Sequence, residues 1–282
     1  MAEGRAVAIG TFDGVHRGHR SVIDAALATG RPVRVLTFDP HPRTVVQGNL
    51  VELVSSVERR VELLRELGVA EVSVIPFTLE FAATEPEAFV AEFLAGVDTV
   101  VVGEGFRFGH RRRGDIALLE HLGYEVVAVP RLQAFSSSEI RRLVHEGDLP
   151  AAAAQLGRPF ELDGTVVPGD QRGGTLGYPT ANLAVDPALL VPAYGIYAGC
   201  AQRVDGEDYR AAISIGTNPH YGGEERRIEP HLLDFEGDLY GRRLVVELWE
   251  RLRDEQVFAS EQDLIDQIAR DVEATRRAVR PA

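Results

Sequence analysis

The sequence predicts a parallel-sheet α/β domain in its first half. Its second half reads as a mainly β domain, a small antiparallel barrel or sandwich with a helix at its C-terminal end. Three observations carry this. Up to about residue 130, short apolar runs alternate with stretches of helical periodicity, as in strands joined by crossover helices. After about residue 157, short strand-like runs are punctuated by glycine and proline. Helical periodicity then returns only at the end, from Ser260 through Leu264, Ile265, Ile268 and Val272. A length of 282 residues suits about two domains, with the division expected near 150–160, giving 1–155 and 156–282.

The first strand is the apolar run Ala6 to Ile9. The turn Gly10-Thr11-Phe12-Asp13-Gly14-Val15-His16-Arg17-Gly18-His19 follows, and then a helical stretch marked by Val22, Ile23, Ala26 and Leu27. Two histidines therefore stand where a strand hands over to a helix. Such a helix start offers free N–H groups and a positive dipole end to a phosphate. Gly14 and Gly18 let backbone come close to a ligand, and His16 and His19 can each donate a hydrogen bond to charge on a phosphoryl oxygen. Histidines at a helix start also serve simply as caps or packing groups.

Further strands are expected at Val33–Phe38, Val72–Ile75, Thr99–Val102 and Glu125–Val129, with helices at Val57–Leu67 and Pro86–Leu94. Ligands of such sheets bind at the carboxyl ends of the strands, where strand order reverses. The second strand runs into Thr37-Phe38-Asp39-Pro40-His41-Pro42, whose prolines force an extended loop. The fourth runs into Val102-Gly103-Glu104-Gly105-Phe106-Arg107-Phe108-Gly109 and an arginine triplet, of which Arg112 and Arg113 read as a solvated loop. Ser136, Ser137 and Ser138 precede Glu139, Ile140 and Leu143 as a helix N-cap. Ala151–Leu156 is a short bridging helix. Strand-like runs follow at Leu162–Val167, Gly195–Ala201, Tyr209–Ile215 and Leu244–Leu248.

Composition excludes several classes. The net charge of −13 argues against wrapping nucleic acid or an anionic membrane. A single cysteine, Cys200, excludes an internal disulfide framework and a multi-cysteine zinc site. No signal peptide and no apolar run of membrane-spanning length is visible, so a soluble cytoplasmic protein is expected. All 30 basic residues other than histidine are arginine. Without lysine there is neither a Walker A loop nor a Schiff base. Phosphate must be held by Arg, His, hydroxyls, backbone N–H groups or metal.

His16-Arg17-Gly18-His19 resembles the His-x-Gly-His signature of the nucleotidylyltransferase superfamily. The longer string Gly10 to His19 resembles, in particular, the bacterial bifunctional riboflavin kinase/FAD synthetases. The resemblance extends through Thr37–Pro42, through Val102–Gly109 and through Ser136–Arg141. It implies a Rossmann-like adenylyltransferase domain followed by a flavokinase barrel. It further implies that Gly10, Phe12, Asp13, Gly14, Gly18, Ser136, Ser137, Ser138 and Arg141 hold ATP phosphates, and that Phe38, Asp39, His41 and Phe106 line the flavin and nucleotide loop. This chain departs from the pattern at Gly105, where the family carries a polar residue.

In the second half, Gly169-Asp170-Gln171-Arg172-Gly173-Gly174-Thr175-Leu176-Gly177-Tyr178-Pro179-Thr180-Ala181-Asn182 ends in a string similar to the riboflavin kinase signature. Read alone, the loop is also a flexible barrel connection. The resemblance implies ATP binding by Gly169, Gly173, Gly177, Thr180 and Asn182, with Mg²⁺ on Thr180 and Asn182. These two residues are two apart, so on extended chain both point the same way, and hard oxygen donors suit Mg²⁺. After Ile215-Gly216-Thr217-Asn218-Pro219 comes Ile228-Glu229-Pro230-His231-Leu232-Leu233-Asp234-Phe235, in which Glu229 matches the family's catalytic base. Without that context Glu229 is an ordinary solvated strand carboxylate. The implied partners are riboflavin, FMN and ATP, with FAD as final product. One rival is another His-x-Gly-His adenylyl- or cytidylyltransferase, which leaves Gly177–Asn182 and Glu229 unexplained. Another is a flavin-storage protein with decayed chemistry, against which His16, His19, Thr180, Asn182 and Glu229 all stand intact.

Overall fold

The computed structural model describes residues 4–132, 134–169, 172–204, 206–217 and 226–282. Packing divides the chain into two units, Met1–Ser137 and Ser138–Ala282.

The first unit contains β1 (Arg5–Ile9), α1 (Arg17–Leu27), β2 (Val33–Asp39), α2 (Pro42–Gln47), α3 (Val57–Glu66), β3 (Glu71–Pro76), α4 (Leu79–Ala82), α5 (Pro86–Phe93), β4 (Val97–Gly103), α6 (Ile116–His121) and β5 (Glu125–Val129). All five strands are parallel, in the order β3-β2-β1-β4-β5. Successive residues of β1 face opposite cores. Ala6 and Ala8 pack with Ile23, Ala26, Leu63 and Leu64 of α1 and α3. Val7 and Ile9 pack with Phe89, Val90, Leu94 and Leu119 on the α5 and α6 side. Burial on both faces explains why the central strands β1, β2 and β4 read as largely apolar runs. The chain runs outward from β1 to β3, then returns to β4 on the other side of β1. The order therefore reverses between β1 and β4, and the turns leaving these two strands open onto the reversal.

The division between the units falls in α7 (Ser137–Glu146). The second unit continues with α8 (Leu149–Leu156), β6 (Phe160–Val167), α9 (Arg172–Thr175), β7 (Asn182–Val185), β8 (Gly195–Val204), β9 (Glu207–Thr217), β10 (Arg226–Leu232), β11 (Arg243–Arg253) and α10 (Glu261–Arg277). Its six strands are antiparallel, in the order β10-β9-β8-β11-β6-β7. The first and last strands of that order meet: the Ala181 N–H donates to the Pro230 carbonyl at 2.9 Å and nearly closes the sheet into a barrel. Pro230 suits this seam. Along a strand, a residue's N–H and C=O point to the same side, so the donor that proline lacks would face β7 and not the β9 ladder.

Ser260 caps α10, accepting from the Asp263 N–H at 3.1 Å, as expected from sequence. Arg276, in the last turn of that helix, grips Asp234 through two bonds of 2.6 Å. Asp234 stands at φ +61°, just beyond β10. The short helix α8 starts from the Asp148 cap at 3.1 Å and packs against β6 and β11, with Leu149, Ala152, Ala153 and Leu156 buried.

Candidate active sites

The turn after β1 is bent hard. Phe12, Gly14 and Val15 all have positive φ, at +47°, +80° and +40°. For Phe12 and for the β-branched Val15 this is costly backbone, of the kind that persists where surrounding contacts over-determine it. Those contacts are visible. Phe12 and Val15 are buried in the core beneath the turn. The Asp13 carboxylate, itself buried, accepts the Val54 N–H at 2.8 Å and the Ser55 N–H at 3.3 Å. The Gly14 N–H donates to Ser55 Oγ at 3.1 Å. Sequence placed Asp13 among the phosphate-binding residues; its carboxylate is engaged with the 54–55 segment and holds the turn in shape.

His16 caps α1, its Nδ1 accepting the His19 N–H at 3.3 Å. The proton of its neutral ring therefore sits on Nε2. His19 stacks on His16, ring centres 3.6 Å apart, and meets the edge of Phe12 at 5.4 Å. Burial, then His16, then Arg60 hold the His19 imidazole well below its ordinary pKa, so it is neutral at pH 7. Its Nδ1 is buried and has no hydrogen-bond partner among the described residues. Gly18 lies close beneath the His16 ring, where a Cβ would come within 3.1 Å. Gly10 lies as close to Phe12.

Folding brings the serine segment to this turn: Ser137 Oγ donates to the Asp13 carbonyl at 3.3 Å, across 124 residues. Ser136 immediately precedes α7. Ser138 and Arg141 lie within that helix, in the second unit. Phe38 and Phe106 pack on one and the same core cluster. There Phe38 joins Phe77 and Phe81, and Phe106 stacks on Phe108 at 5.5 Å. Asp39 ends β2, and His41 caps α2 through Nδ1 at 3.1 Å from the Arg43 N–H. The Gly105 position has open space around it.

Sequence reasoning missed Arg60. Its guanidinium is 1% exposed and donates through Nη1 to Thr37 Oγ1 at 3.3 Å and to the Phe38 carbonyl at 3.1 Å. Nη2 lies 4.0 Å from Asp13, and Nε has no hydrogen-bond partner among the described residues. Burial lowers its pKa, while Asp13 and then Asp39 oppose that shift. A buried cation thus ties the end of β2 to the turn after β1. The available signal was its place on the apolar face of α3, one turn before Leu63 and Leu64, where a charged residue needs a reason.

In the second unit the glycine loop folds onto the string that follows it. A Cβ on Gly169 would run into the Asn182 amide, reaching Oδ1 at 2.7 Å. A Cβ on Gly173 would run into the Tyr178 carbonyl and come within 3.4 Å of Thr180 Oγ1. The Tyr178 N–H donates to the Gly173 carbonyl at 2.8 Å, and Gly177 turns the chain at φ +85°. The predicted residues Gly169, Gly173, Gly177, Thr180 and Asn182 therefore form one compact feature. Asp170, Gln171, Asn218 and Pro219 lie outside the described residues.

This feature is stitched to β10. Besides the bond from Ala181 to Pro230, His231 Nδ1 lies 2.7 Å from the Pro179 carbonyl, and the Tyr178 ring meets the His231 ring edge-on at 5.5 Å. Glu229 and His231 are half-buried and alternate with the buried Ile228, Pro230 and Leu232, so they share the outer face of β10. Glu229 pairs with Ser214 of β9 and lies 3.9 Å from Arg227 Nη1.

The donor set suits Mg²⁺ arriving with phosphates. Thr180 and Asn182 offer hard, neutral oxygens on either side of the buried Ala181. Among the described residues no group of three or more His, Cys, Asp or Glu could cage a metal. Mg²⁺ commonly takes few protein ligands and fills its shell with waters and substrate phosphates.

Comparison with known proteins finds a match in each half of the chain. A family model described as FAD synthetase matches residues 1–141, and one described as riboflavin kinase matches residues 156–279. A bifunctional riboflavin kinase/FMN adenylyltransferase from Listeria monocytogenes is 37% identical, covering 96% of this chain and 91% of the relative. The protein of the same description from Escherichia coli K12 is 36% identical, covering 95% and 91%. A solved structure from Streptococcus pneumoniae, described as a macrolide-efflux protein, superposes with a TM-score of 0.85 at 31% identity, covering 99% of this chain and 96% of that one. Among the described residues of this chain, no helix is long and apolar enough to cross a membrane. The chain belongs to the bifunctional riboflavin kinase/FMN adenylyltransferase family.

Proposed function

We propose that the chain performs two successive ATP-dependent steps on one flavin in the cytoplasm, the adenylyltransferase occupying 1–155 and the kinase 156–282. The observations behind this reading are one contact within each unit between motif segments distant in sequence. The turn Gly10–His19 meets the Ser136–Ser137 segment, and Gly169–Asn182 is stitched to the strand bearing Glu229.

In the kinase half, Glu229 takes the proton of the riboflavin 5′-hydroxyl as that oxygen attacks the γ-phosphorus of ATP. The bond to the β-phosphate breaks, and FMN and ADP result. Phosphoryl transfer demands mainly positioning and charge neutralisation. Gly169, Gly173 and Gly177 keep the loop close to the phosphates, and Thr180 and Asn182 hold Mg²⁺. The ion supplies positive charge against the phosphate oxygens.

In the adenylyltransferase half, a phosphate oxygen of FMN attacks the α-phosphorus of ATP, and pyrophosphate leaves. The nucleophile is already an anion, so no base is needed. His16 and His19, both at the start of α1, donate hydrogen bonds to charge building on the α-phosphoryl oxygens. Ser136, Ser137, Ser138 and Arg141 hold the leaving pyrophosphate. Phe38 and Phe106 offer the flavin an aromatic wall, with Asp39 and His41 at its rim.

Turnover of riboflavin with Mg²⁺ and ATP, resolving FMN from FAD, tests the whole. Glu229→Gln should lower FMN formation by about 10²–10⁴-fold while FAD formation from supplied FMN continues. Wild-type FMN formation by this variant would remove Glu229 from the mechanism. Absence of both products from the unaltered chain would favour the storage protein.

A further inference from the structure

We propose that His231 is a positioning residue for the phosphoryl transfer: its ring fastens the Pro179 carbonyl, and with it Thr180 and Asn182, to the strand that carries Glu229. The inference rests on the reading of Glu229 and Thr180–Asn182 as the kinase site.

The contact is short, at 2.7 Å. A carbonyl can only accept, so Nδ1 carries the proton in this bond. Pro179 has no N–H, and its carbonyl is the one backbone group by which that residue can be anchored. On one flank of Pro179, Tyr178 lays its ring against His231; on the other, Ala181 bonds Pro230. Residues 178 to 181 are thus held at three points by two consecutive residues of β10. Two of the three points belong to His231.

Within the loop the Tyr178 N–H bonds the Gly173 carbonyl, which ties the loop to itself and not to the strand that carries Glu229. Gly177 has open space around the position of a Cβ, and Gly174 likewise. Phosphoryl transfer fails steeply when reacting groups shift by about an ångström, with losses near 10²-fold. Fixing Thr180 relative to Glu229 is therefore worth a dedicated side chain. Strand parity puts that side chain on the same face as Glu229, two residues on.

The test uses the full chain and the geometry of three replacements. Asparagine places its amide nitrogen near the position of Nδ1. Glutamine carries the donor one bond further out, and alanine removes it. His231→Ala and His231→Gln should raise KM for ATP at fixed Mg²⁺ and lower kcat/KM by about 10–100-fold, the usual effect of losing a residue that orients a metal's ligands. KM for riboflavin should stay unchanged. His231→Asn should remain close to the unaltered chain. In the absence of nucleotide, amide hydrogen exchange at Ala181 should quicken in His231→Ala and His231→Gln but not in His231→Asn. FAD formation from supplied FMN should be the same in all four proteins, which shows the first unit to be intact.

Equal behaviour of His231→Asn and His231→Gln, in rate or exchange, overturns the proposal, as does wild-type kinase kinetics in His231→Ala. The exchange measurement needs no activity, so it judges His231 independently of Glu229. An active Glu229→Gln overturns the reading of the site instead.

Discussion

Replacing Gly169 with alanine should disable the kinase and leave FAD synthesis alone. A Cβ at this position would stand 2.7 Å from Asn182 Oδ1 and nearer still to the rest of the amide. Real Cβ contacts are seldom closer than about 3.4 Å, so the oxygen must retreat by roughly 0.7 Å and the amide nitrogen by more. Asn182 opens β7, where its backbone pairs with Val167, so the accommodation falls on the side chain proposed to hold Mg²⁺. A displacement approaching 1 Å costs about 10²-fold in a reaction that depends on positioning, or about 2.7 kcal/mol of barrier. The assay is FMN formation against ATP and Mg²⁺ concentration, with FAD formation from supplied FMN as internal control. Gly174→Ala is the matched variant, since a Cβ there meets nothing within 4 Å. The reasoning is refuted if Gly169→Ala and Gly174→Ala have the same kcat/KM for ATP, or if Gly169→Ala loses both activities together.

Three further outcomes are expected. His19→Ala should slow FAD formation by about 10²–10³-fold, the cost of one preorganised donor to developing charge, with FMN formation intact; a lowered melting temperature with normal turnover would make His19 a packing group. Because the pKa of His19 is held below its ordinary 6.5 in the folded chain, the unfolded chain binds the extra proton first as pH falls, so the stability of the first unit is full above about 6.5 and declines below it. Denaturant titrations at pH 7.5 and 5.0 should show a smaller decline in His19→Asn, and an equal one would dismiss the burial argument. Finally, a fragment starting at Asp148 should make FMN and melt higher than one starting at Leu156, because only the longer keeps the buried residues of α8 against β6 and β11; identical melting would mean that α8 adds nothing to the barrel.

The parallel sheet was legible because its central strands β1, β2 and β4 are buried on both faces. Val33–Phe38, Val72–Ile75, Thr99–Val102 and Glu125–Val129 are apolar runs that admit little else, and each is observed as a strand. The barrel was less so. Strand β7 is four residues long, too short for periodicity to register. In β10 the apolar positions Ile228, Pro230 and Leu232 do alternate, but a proline argues against a strand unless its missing donor faces a seam, and seams are a property of the folded chain. The sites follow the same division. Motif strings nominate Gly10–His19, Gly169–Asn182 and Glu229, since each is contiguous. Arg60 and His231 bond partners 22 and 52 residues away; the place of Arg60 on the apolar face of α3 is a local hint, but no local pattern names either partner. Asp13 shows the converse. Its motif is explicit, yet its carboxylate serves the 54–55 segment that the motif does not contain.

The bond from Ala181 to Pro230 has a consequence for synthesis. It joins residues 49 positions apart, and it brings the two ends of the strand order together beside the loop proposed to bind phosphate. Contacts so distant in sequence carry loop-closure entropy and form late. On the ribosome the Gly169–Asn182 segment emerges long before β10 and has no seam to lie in until β10 follows. The proposed kinase site is thus withheld from the growing chain, and nucleotide binding is expected to report that the barrel has closed. A one-residue insertion between Pro179 and Asn182 would delay or abolish that signal, whereas one beside Gly174 should leave it on schedule.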